Sequence, residues 1–311
     1  MLVLGSGRAG HEINAEGVAD ALGGRTEFRR VEPRALFGRL APWGPMDFKD
    51  RGAFLSAPLP DIVLASGRVT VPYIRALKRV GGKKLFAVFL QDPRASRSTM
   101  DLIWTPAHDT LRGPNVLTTL TSPHPFSKAR LAEARATPDP RLAGLAGPRL
   151  GVVLGGPSGA QHFTVADIVA MREAVRAIAA QGFSVMATPS RRTPPELTAA
   201  VRDGLGSSSG FIWDGLGENP YAAILALADV ILVTGDSANM VGEAVATGAP
   251  VHVFEPTGGK SRKLAAMIDG LVARGAARRF CGRLETFSYA PIDSSQEIAA
   301  EISRRFRASR R

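Results

Sequence analysis

Short apolar runs that favour strands alternate along this chain with amphipathic helical stretches, and the alternation happens twice. In the first series the strands are expected over residues 2–4, 62–65, 85–90 and 102–105, with helices near 12–22 and 72–80. Strands separated by helices cannot pair as hairpins, so they must return in the same direction and build a parallel sheet. A proline-spotted, unpatterned stretch over 132–148 ends that series, and a fresh apolar run over 150–154 opens the second. There strands at 184–188, 211–213, 230–234 and 251–254 alternate with helices at 166–180, after Pro194, at 221–227 and at 240–247. With 311 residues, more than one hydrophobic core usually organises, the chain reads as α/β, with two Rossmann-like doubly wound parallel-sheet domains facing across a cleft. The expected boundaries are 1–147, 148–290, and a C-terminal helix with a basic tail over 291–311.

Hydrophobic residues at 45% and charged residues at 22% are values of a folding chain and not of a disordered one. The apolar run over 222–233 is too short for a bilayer and contains Asp229. Met1-Leu2-Val3-Leu4-Gly5 has no basic lead and reads as a core strand, not a signal peptide, so a cytoplasmic location is expected. The single cysteine, Cys281, has no disulfide partner and no thiolate metal site, and is expected to be structural. A net charge of +11 invites a nucleic-acid reading, but the three tyrosines and three tryptophans are not interleaved with arginines as base stacking requires. No specific nucleic acid is expected as a partner. Two basic clusters in the first half, from Arg25 to Arg39 and from Lys78 to Lys84, suit either a solvated surface or peripheral contact with anionic headgroups at the inner face of a membrane.

In open parallel sheets ligands bind where strands end at their carboxyl side, so the loops after each strand carry the functional expectations. The first, Gly5-Ser6-Gly7-Arg8-Ala9-Gly10-His11, has the glycine spacing of a dinucleotide fingerprint, but the acid about twenty residues on, Glu32, lies in an irregular charged stretch. The same glycines suit a tight turn that leaves backbone N–H groups and His11 facing a cleft. The second, Gly155-Gly156-Pro157-Ser158-Gly159, lets amides approach a phosphate, though no Gly-Lys-Ser/Thr follows as a P-loop needs. In the third, Ser190, Arg191 and Arg192 stand between prolines, and paired guanidiniums can clamp a pyrophosphate. In the fourth, Asp236 and Ser237 can cap a helix whose N-terminal amides attract an anion, and Glu243 on that helix's exposed side can accept both hydroxyls of a ribose. The plain alternative makes Asp236 and Ser237 mere caps and Glu243 a solvated helix residue.

Asp92, at a strand end, is a candidate base, with pairing to Arg94 as the plainer alternative. Trp213 reads as core, with lining of the base pocket as the alternative. His108, His124 and His162 lack metal-ligand spacing, and no Asp-X-Asp pair stands ready to hold a divalent ion on a diphosphate, so neither metal nor cofactor is expected.

Taken together, these segments resemble the mitochondrial-fission ELM (elongated mitochondria) family. The likeness runs through Gly7-Arg8-Ala9-Gly10-His11-Glu12, Ser66-Gly67-Arg68, Gln91-Asp92-Pro93-Arg94, Pro106-Ala107-His108-Asp109 and Arg112-Gly113-Pro114-Asn115 in the first half. It continues through Gly155-Gly156-Pro157-Ser158, Ser190-Arg191-Arg192-Thr193-Pro194, Trp213-Asp214-Gly215, Glu218-Asn219-Pro220-Tyr221, Asp236-Ser237 with Met240 and Glu243, and Gly275-Ala276-Ala277-Arg278. The chain departs from the family at Ser6, where an acid is usual, and in its short first strand, as if it began late or lacked that group. The family in turn is similar to the GT-B glycosyltransferases. That resemblance implies a nucleotide-sugar donor in the second domain, held by Gly155, Gly156, Ser158, Ser190, Arg191, Arg192, Asp236, Ser237 and Glu243. It implies an acceptor in the first, near Gly7, Arg8, Gly10, Ser66 and Arg68, with His11 or Asp92 as catalytic base. The implied activity is a metal-independent glycosyltransferase. The alternative is a non-catalytic nucleotide-binding or scaffolding protein. A nucleotide-sugar epimerase of the NAD-binding kind is disfavoured because Tyr73, Tyr221 and Tyr289 have no lysine four residues on.

Overall fold

The structure is a computed structural model describing residues 1–56 and 58–310. It divides into two compact units, one of residues 1–125 with 293–311 and one of residues 126–292.

In the first unit the chain runs β1 (Leu2–Gly5), α1 (Ala9–Leu22), β2 (Glu27–Arg30), α2 (Ala35–Leu40), α3 (Arg51–Leu55), β3 (Ile62–Ser66), α4 (Val71–Gly81), β4 (Phe86–Leu90), β5 (Leu102–Pro106) and β6 (Val116–Thr119). All pairs are parallel, in the order β2-β1-β3-β4-β5-β6. Side chains on successive strand residues point to opposite faces. Leu2, Leu4, Val63, Ala65, Ala87 and Phe89 accordingly pack on one side with Tyr73, Ile74 and Leu77 of α4. Val3, Leu64, Val88, Leu102 and Trp104 pack on the other with Ala15 and Val18 of α1. β2 and β6 were not foreseen; both are edge strands, and β2, with sequence Glu-Phe-Arg-Arg, has the charged character that edges tolerate.

The second unit holds α5 (Lys128–Ala136), α6 (Pro140–Ala143), β7 (Arg149–Leu154), β8 (Gln161–His162), α7 (Val165–Ala179), β9 (Ser184–Pro189), α8 (Pro195–Leu205), β10 (Gly210–Ile212), α9 (Tyr221–Leu227), β11 (Val230–Thr234), α10 (Ala238–Val245), β12 (Val251–Phe254), β13 (Gly258–Gly259), α11 (Arg262–Ala273) and β14 (Arg278–Arg279). Its six-stranded parallel sheet has the order β10-β9-β7-β11-β12-β14. This is the doubly wound dinucleotide-fold order, which reverses direction between β7 and β11. The strand cores Leu150, Val152, Val185 and Leu232 pack with Met171, Val175 and Val201 of the covering helices.

The division falls at Pro125/Phe126, ahead of the expected boundary at 147/148, because the stretch over 132–148 is not a linker. The Arg135 guanidinium donates to Ala226 O at 2.7 Å, Phe126 meets Tyr221 edge-on at 5.4 Å, and Arg141 donates to Glu218 O at 2.9 Å. A few specific anchors, without apolar periodicity, fix this segment to the second unit. The C-terminal helix, α12 (Ser294–Ser309), is likewise no appendage. Asp293 caps it, Ser295 Oγ donates to His124 O at 2.7 Å, and Ile298 and Ile302 complete the α1 face of the first core.

Ile298 is fully buried, so Ile298→Ala should cost about 2–5 kcal/mol of stability from lost transfer energy and a residual cavity. Hydrogen exchange should then accelerate in β1, β3 and α1. Faster exchange confined to the strands between residues 126 and 292 would refute the placement of α12 in the first unit.

Candidate functional site

Ligands of doubly wound sheets lie outside the carboxyl ends of the strands where the order reverses. In the second sheet that point lies between β7 and β11, and the loops after both strands are joined there. Gly155 N donates to Thr234 Oγ1 at 2.7 Å, and Gly156 N donates to Asp236 Oδ2 at 2.7 Å. A Cβ at Gly155 would collide with the Asp236 carboxylate, and one at Gly156 with the Arg192 carbonyl. The two glycines are therefore required for close approach of neighbouring loops. Their amides are already engaged, which corrects the expectation that they lie open to a phosphate.

The loop after β9 is tied down in the same way. Thr193 Oγ1 donates to Gly155 O at 2.6 Å, Ser190 N donates to Thr193 Oγ1 at 2.8 Å, and Ser190 Oγ lies 3.0 Å from Thr193 Oγ1. Ser190 is thus a supporting hydroxyl and not a free ligand contact. Arg191 and Arg192 remain exposed at this edge, Arg192 reaching Pro157 O at 3.3 Å. Ser158 Oγ accepts from Gln161 N at 3.2 Å and is exposed. Ser237 caps α10, accepting from Met240 N at 3.4 Å, and the two amides ahead of Met240 belong to the open first turn.

Asp236 is turned inward. Burial pushes its pKa up, against the Thr234 and Gly156 hydrogen bonds, and Oδ1 is enclosed with no hydrogen-bond partner. Glu243 also departs from expectation. It is 7% exposed, not on the exposed side of α10, and accepts a hydrogen bond from the Tyr221 hydroxyl. Burial raises its pKa to about 7, the Tyr221 bond opposing in part; burial and the Glu243 charge together raise Tyr221 well above its ordinary value.

One segment of this edge went unnoticed in the sequence. The loops after β7 and β12 are joined by antiparallel β8–β13, and Asp167 accepts from Thr257 N at 3.0 Å as well as from the amide of Thr164, the residue that caps α7. Lys260 and the α11 cap Ser261 follow directly. The signal was Thr257-Gly258-Gly259 ahead of a serine-capped helix, the same combination used to select the other loops.

In the first sheet the order reverses between β1 and β3. There Ser6 Oγ lies 3.0 Å from His11 Nδ1, and a Cβ at Gly67, whose φ is +92°, would stand 2.7 Å from both atoms. Burial, followed by the Arg8 charge, lowers the His11 pKa, keeping the imidazole neutral at physiological pH. Gly7 N donates to Glu12 Oε1 at 3.0 Å, and Glu12 pairs with Arg30 at 2.8 Å. Gly5 has Phe28 and Glu12 against it, so this loop is a packed turn and not an open dinucleotide cradle. Gly10 sits in the first turn of α1 and Arg8 caps that helix without a side-chain bond.

The other expected residues here are engaged elsewhere. Ser66 Oγ is buried and donates to Leu90 O at 3.1 Å, and Arg68 holds the backbone carbonyls of Arg39 and Ala41. Asp92 pairs with Arg97 at 2.6 Å and accepts from Arg94 N at 2.8 Å. Burial pushes its pKa up, but those bonds outweigh it and hold the carboxyl below its ordinary range, which makes Asp92 a poor base. Trp213 is half-buried, its indole donating to Leu216 O at 3.0 Å, and Cys281 is exposed, so neither is the core residue expected. Among the described residues no helix is long and apolar enough to cross a membrane, and no three His, Cys, Asp or Glu side chains gather as metal ligands.

The family model for Mitochondrial fission ELM1 matches residues 9–306. Mitochondrial fission protein ELM1 of Arabidopsis thaliana is 29% identical over 276 residues, 80% of this chain, which spans 64% of that relative's length. The UDP-GlcNAc 2-epimerase from Neisseria meningitidis, solved bound to UDP-GlcNAc, is 12% identical with a TM-score of 0.52, covering 98% of this chain and 100% of its own. The spinosyn forosaminyltransferase SpnP is 12% identical with a TM-score of 0.53, covering 99% and 94%. These likenesses establish the two-sheet GT-B fold.

The buried carboxyl of Glu243 gives a signed pH dependence. Because its folded pKa is raised, the folded state holds the proton more tightly than the unfolded chain does. Stability from this group is therefore full below about pH 4.5 and is lost as pH rises toward about 7. Glu243→Gln keeps an acceptor for Tyr221 but has no proton to lose. Measured by denaturant melts, the variant should gain on the wild type between about pH 5 and pH 8, by an amount on the order of 1–3 kcal/mol. A stability difference that does not vary with pH would exclude a buried ionisable Glu243.

Proposed function

The chain belongs to the mitochondrial fission ELM1 family, and from that premise we propose that its second unit binds a nucleoside-diphosphate sugar and that the chain is a metal-independent glycosyltransferase. The observation that carries the reading is the order reversal between β7 and β11, with Gly155 and Gly156 clamped across it by Thr234 and Asp236. Ser158, Arg191 and Arg192 are exposed at that edge, and Ser237 and the first turn of α10 are partly exposed. Guanidiniums and helix N-terminal amides are what a diphosphate requires. Solved proteins of this fold include one bound to UDP-GlcNAc and one named as a sugar transferase.

In the proposed reaction an acceptor hydroxyl oxygen attacks the anomeric carbon, and the bond from that carbon to the diphosphate oxygen breaks. The hydroxyl proton passes to a general base, for which His11 of the first unit is the candidate; Nε2 is its basic nitrogen in the tautomer whose Nδ1–H donates to Ser6 Oγ. The nucleoside diphosphate leaves with its developing charge met by Arg191, Arg192 and the α10 amides. Gly155, Gly156, Ser190 and Asp236 support that edge, while the buried Glu243 carboxylate is bonded to the Tyr221 hydroxyl and is not assigned to a ribose.

Calorimetry with UDP-, GDP-, ADP- and CMP-sugars tests the donor assignment. Losing both guanidiniums in an Arg191→Ala, Arg192→Ala double variant should weaken affinity about tenfold to a hundredfold, the worth of charge-assisted hydrogen bonds. His11→Ala should leave donor affinity intact and remove transfer to acceptors in lipid or protein extracts. Absence of donor binding at millimolar concentration would defeat the proposal. Binding without transfer would favour the scaffolding alternative, and a changed sugar still attached to its nucleotide would favour an epimerase.

A further inference from the structure

Between β2 and β3 the first unit carries an insertion that exposes more apolar surface than a solvated loop needs. Leu36 is 64% exposed, Leu40 45%, Trp43 68% and Phe48 53%. Leu36 and Leu40 are spaced to share a face of α2, Trp43 follows shortly after that helix, and Phe48 meets Phe37 of the same helix edge-on at 5.3 Å. Isolated exposed apolar side chains are ordinary, but four large ones in a thirteen-residue span, Leu36 to Phe48, mark an interaction surface.

The surface is held in place from below. Arg68 donates to the carbonyls of Arg39 and Ala41, and Arg75 donates to Trp43 O at 3.2 Å and also to Gly44 O. Asp47, fully buried, pairs with Arg34 at 2.6 Å and caps the turn at Phe48. The backbone carrying Trp43 is thus fixed at both ends, and the indole is presented outward at little entropic cost.

Cations outnumber acids over residues 32–51, with Arg34, Arg39, Lys49 and Arg51 against Glu32, Asp47 and Asp50, and Arg34 is ion-paired to Asp47. The Arg34 guanidinium lies 5.2 Å from the Phe37 ring centre and Arg51 4.6 Å from that of Phe48, while Arg39 and Lys49 are exposed between them. A tryptophan with leucines and a phenylalanine, interspersed with arginine and lysine, is the composition that lies in the interface of an anionic bilayer. The aliphatic groups enter the acyl boundary while the cations remain among the headgroup phosphates. We propose that this ridge docks the first unit on an anionic lipid surface. The inference does not depend on nucleotide-sugar binding, since Leu36, Leu40, Trp43 and Phe48 are not among the residues of the two sheet edges described above, and only Arg68, beneath them, was.

Co-sedimentation of the full chain with phosphatidylcholine vesicles, with and without phosphatidylglycerol, tests it. Binding is expected to the anionic vesicles only. Trp43 is the most exposed of the three indoles, so its emission should shift to the blue and be quenched by brominated acyl chains. Trp43→Phe should retain most of the binding while losing the shift. A Leu40→Ser, Trp43→Ser double variant should reduce partitioning about tenfold to a hundredfold, with an unchanged melt because both side chains are exposed. Four results would each overturn the proposal. They are no binding to anionic vesicles at low salt, binding indifferent to the double substitution, a blue shift that survives Trp43→Phe, or self-association in solution abolished by the same substitutions.

Discussion

The Asp236 carboxylate, accepting the Gly156 amide at 2.7 Å, is the constraint on which the second unit's edge depends. It draws the loop after β7 against the loop after β11, and only glycine leaves room at 155 and 156 for that approach. The arrangement is costly in isolation, since it encloses a carboxylate whose Oδ1 has no partner. The raised pKa is the electrostatic signature of that cost. What results is a rigid edge on which Arg191 and Arg192 stand on a loop itself fastened through Thr193 to Gly155. Preorganised cations on a fixed backbone are worth more to an anionic ligand than the same cations on a mobile loop.

The first unit solves the same steric problem with different chemistry. At its reversal point Gly67 admits the close contact of Ser6 and His11, and Glu12 fastens the glycine turn through Gly7 N. The two edges thus differ in what they leave available: cations and helix N-terminal amides in one, a neutral imidazole in the other. Under the proposed function, that difference suits the second edge to a charged leaving group and the first to a proton.

Interior strands were legible because burial on both faces demands unbroken apolar runs, as in Phe86–Leu90 and Val230–Thr234. Edge strands were not, because Glu27–Arg30 needs apolar character on neither side, and the segment 126–147 belongs to the second unit through a handful of side-chain bonds that no period announces. In the site, loop positions could be read and partners could not. Glycine at 155 and 156 showed a close approach, but whether a phosphate or Asp236 made it depends on residues some eighty positions away. Glu243 falls in the same class, since its helical pattern does not reveal that Tyr221 of another helix reaches it. The Gly258–Gly259 turn, by contrast, is legible, because glycines ahead of a serine-capped helix mark it.

Of the two bases the sequence offered in the first unit, geometry separates them by proton affinity. To accept a proton, Asp92 must give up hydrogen bonds from the Arg97 guanidinium and the Arg94 amide, and the charges of both arginines oppose it. His11 has no ion pair to give up, although burial and the Arg8 charge lower its proton affinity too, and in the tautomer whose Nδ1–H donates to Ser6 Oγ the lone pair resides on Nε2. A base must be unprotonated at working pH and still bind a proton once the acceptor hydroxyl loses it. An ion-paired carboxylate meets the first condition and fails the second. An imidazole starts from a higher ordinary proton affinity than a carboxylate, so under the proposed function His11, and not Asp92, is the stronger candidate base of the first unit.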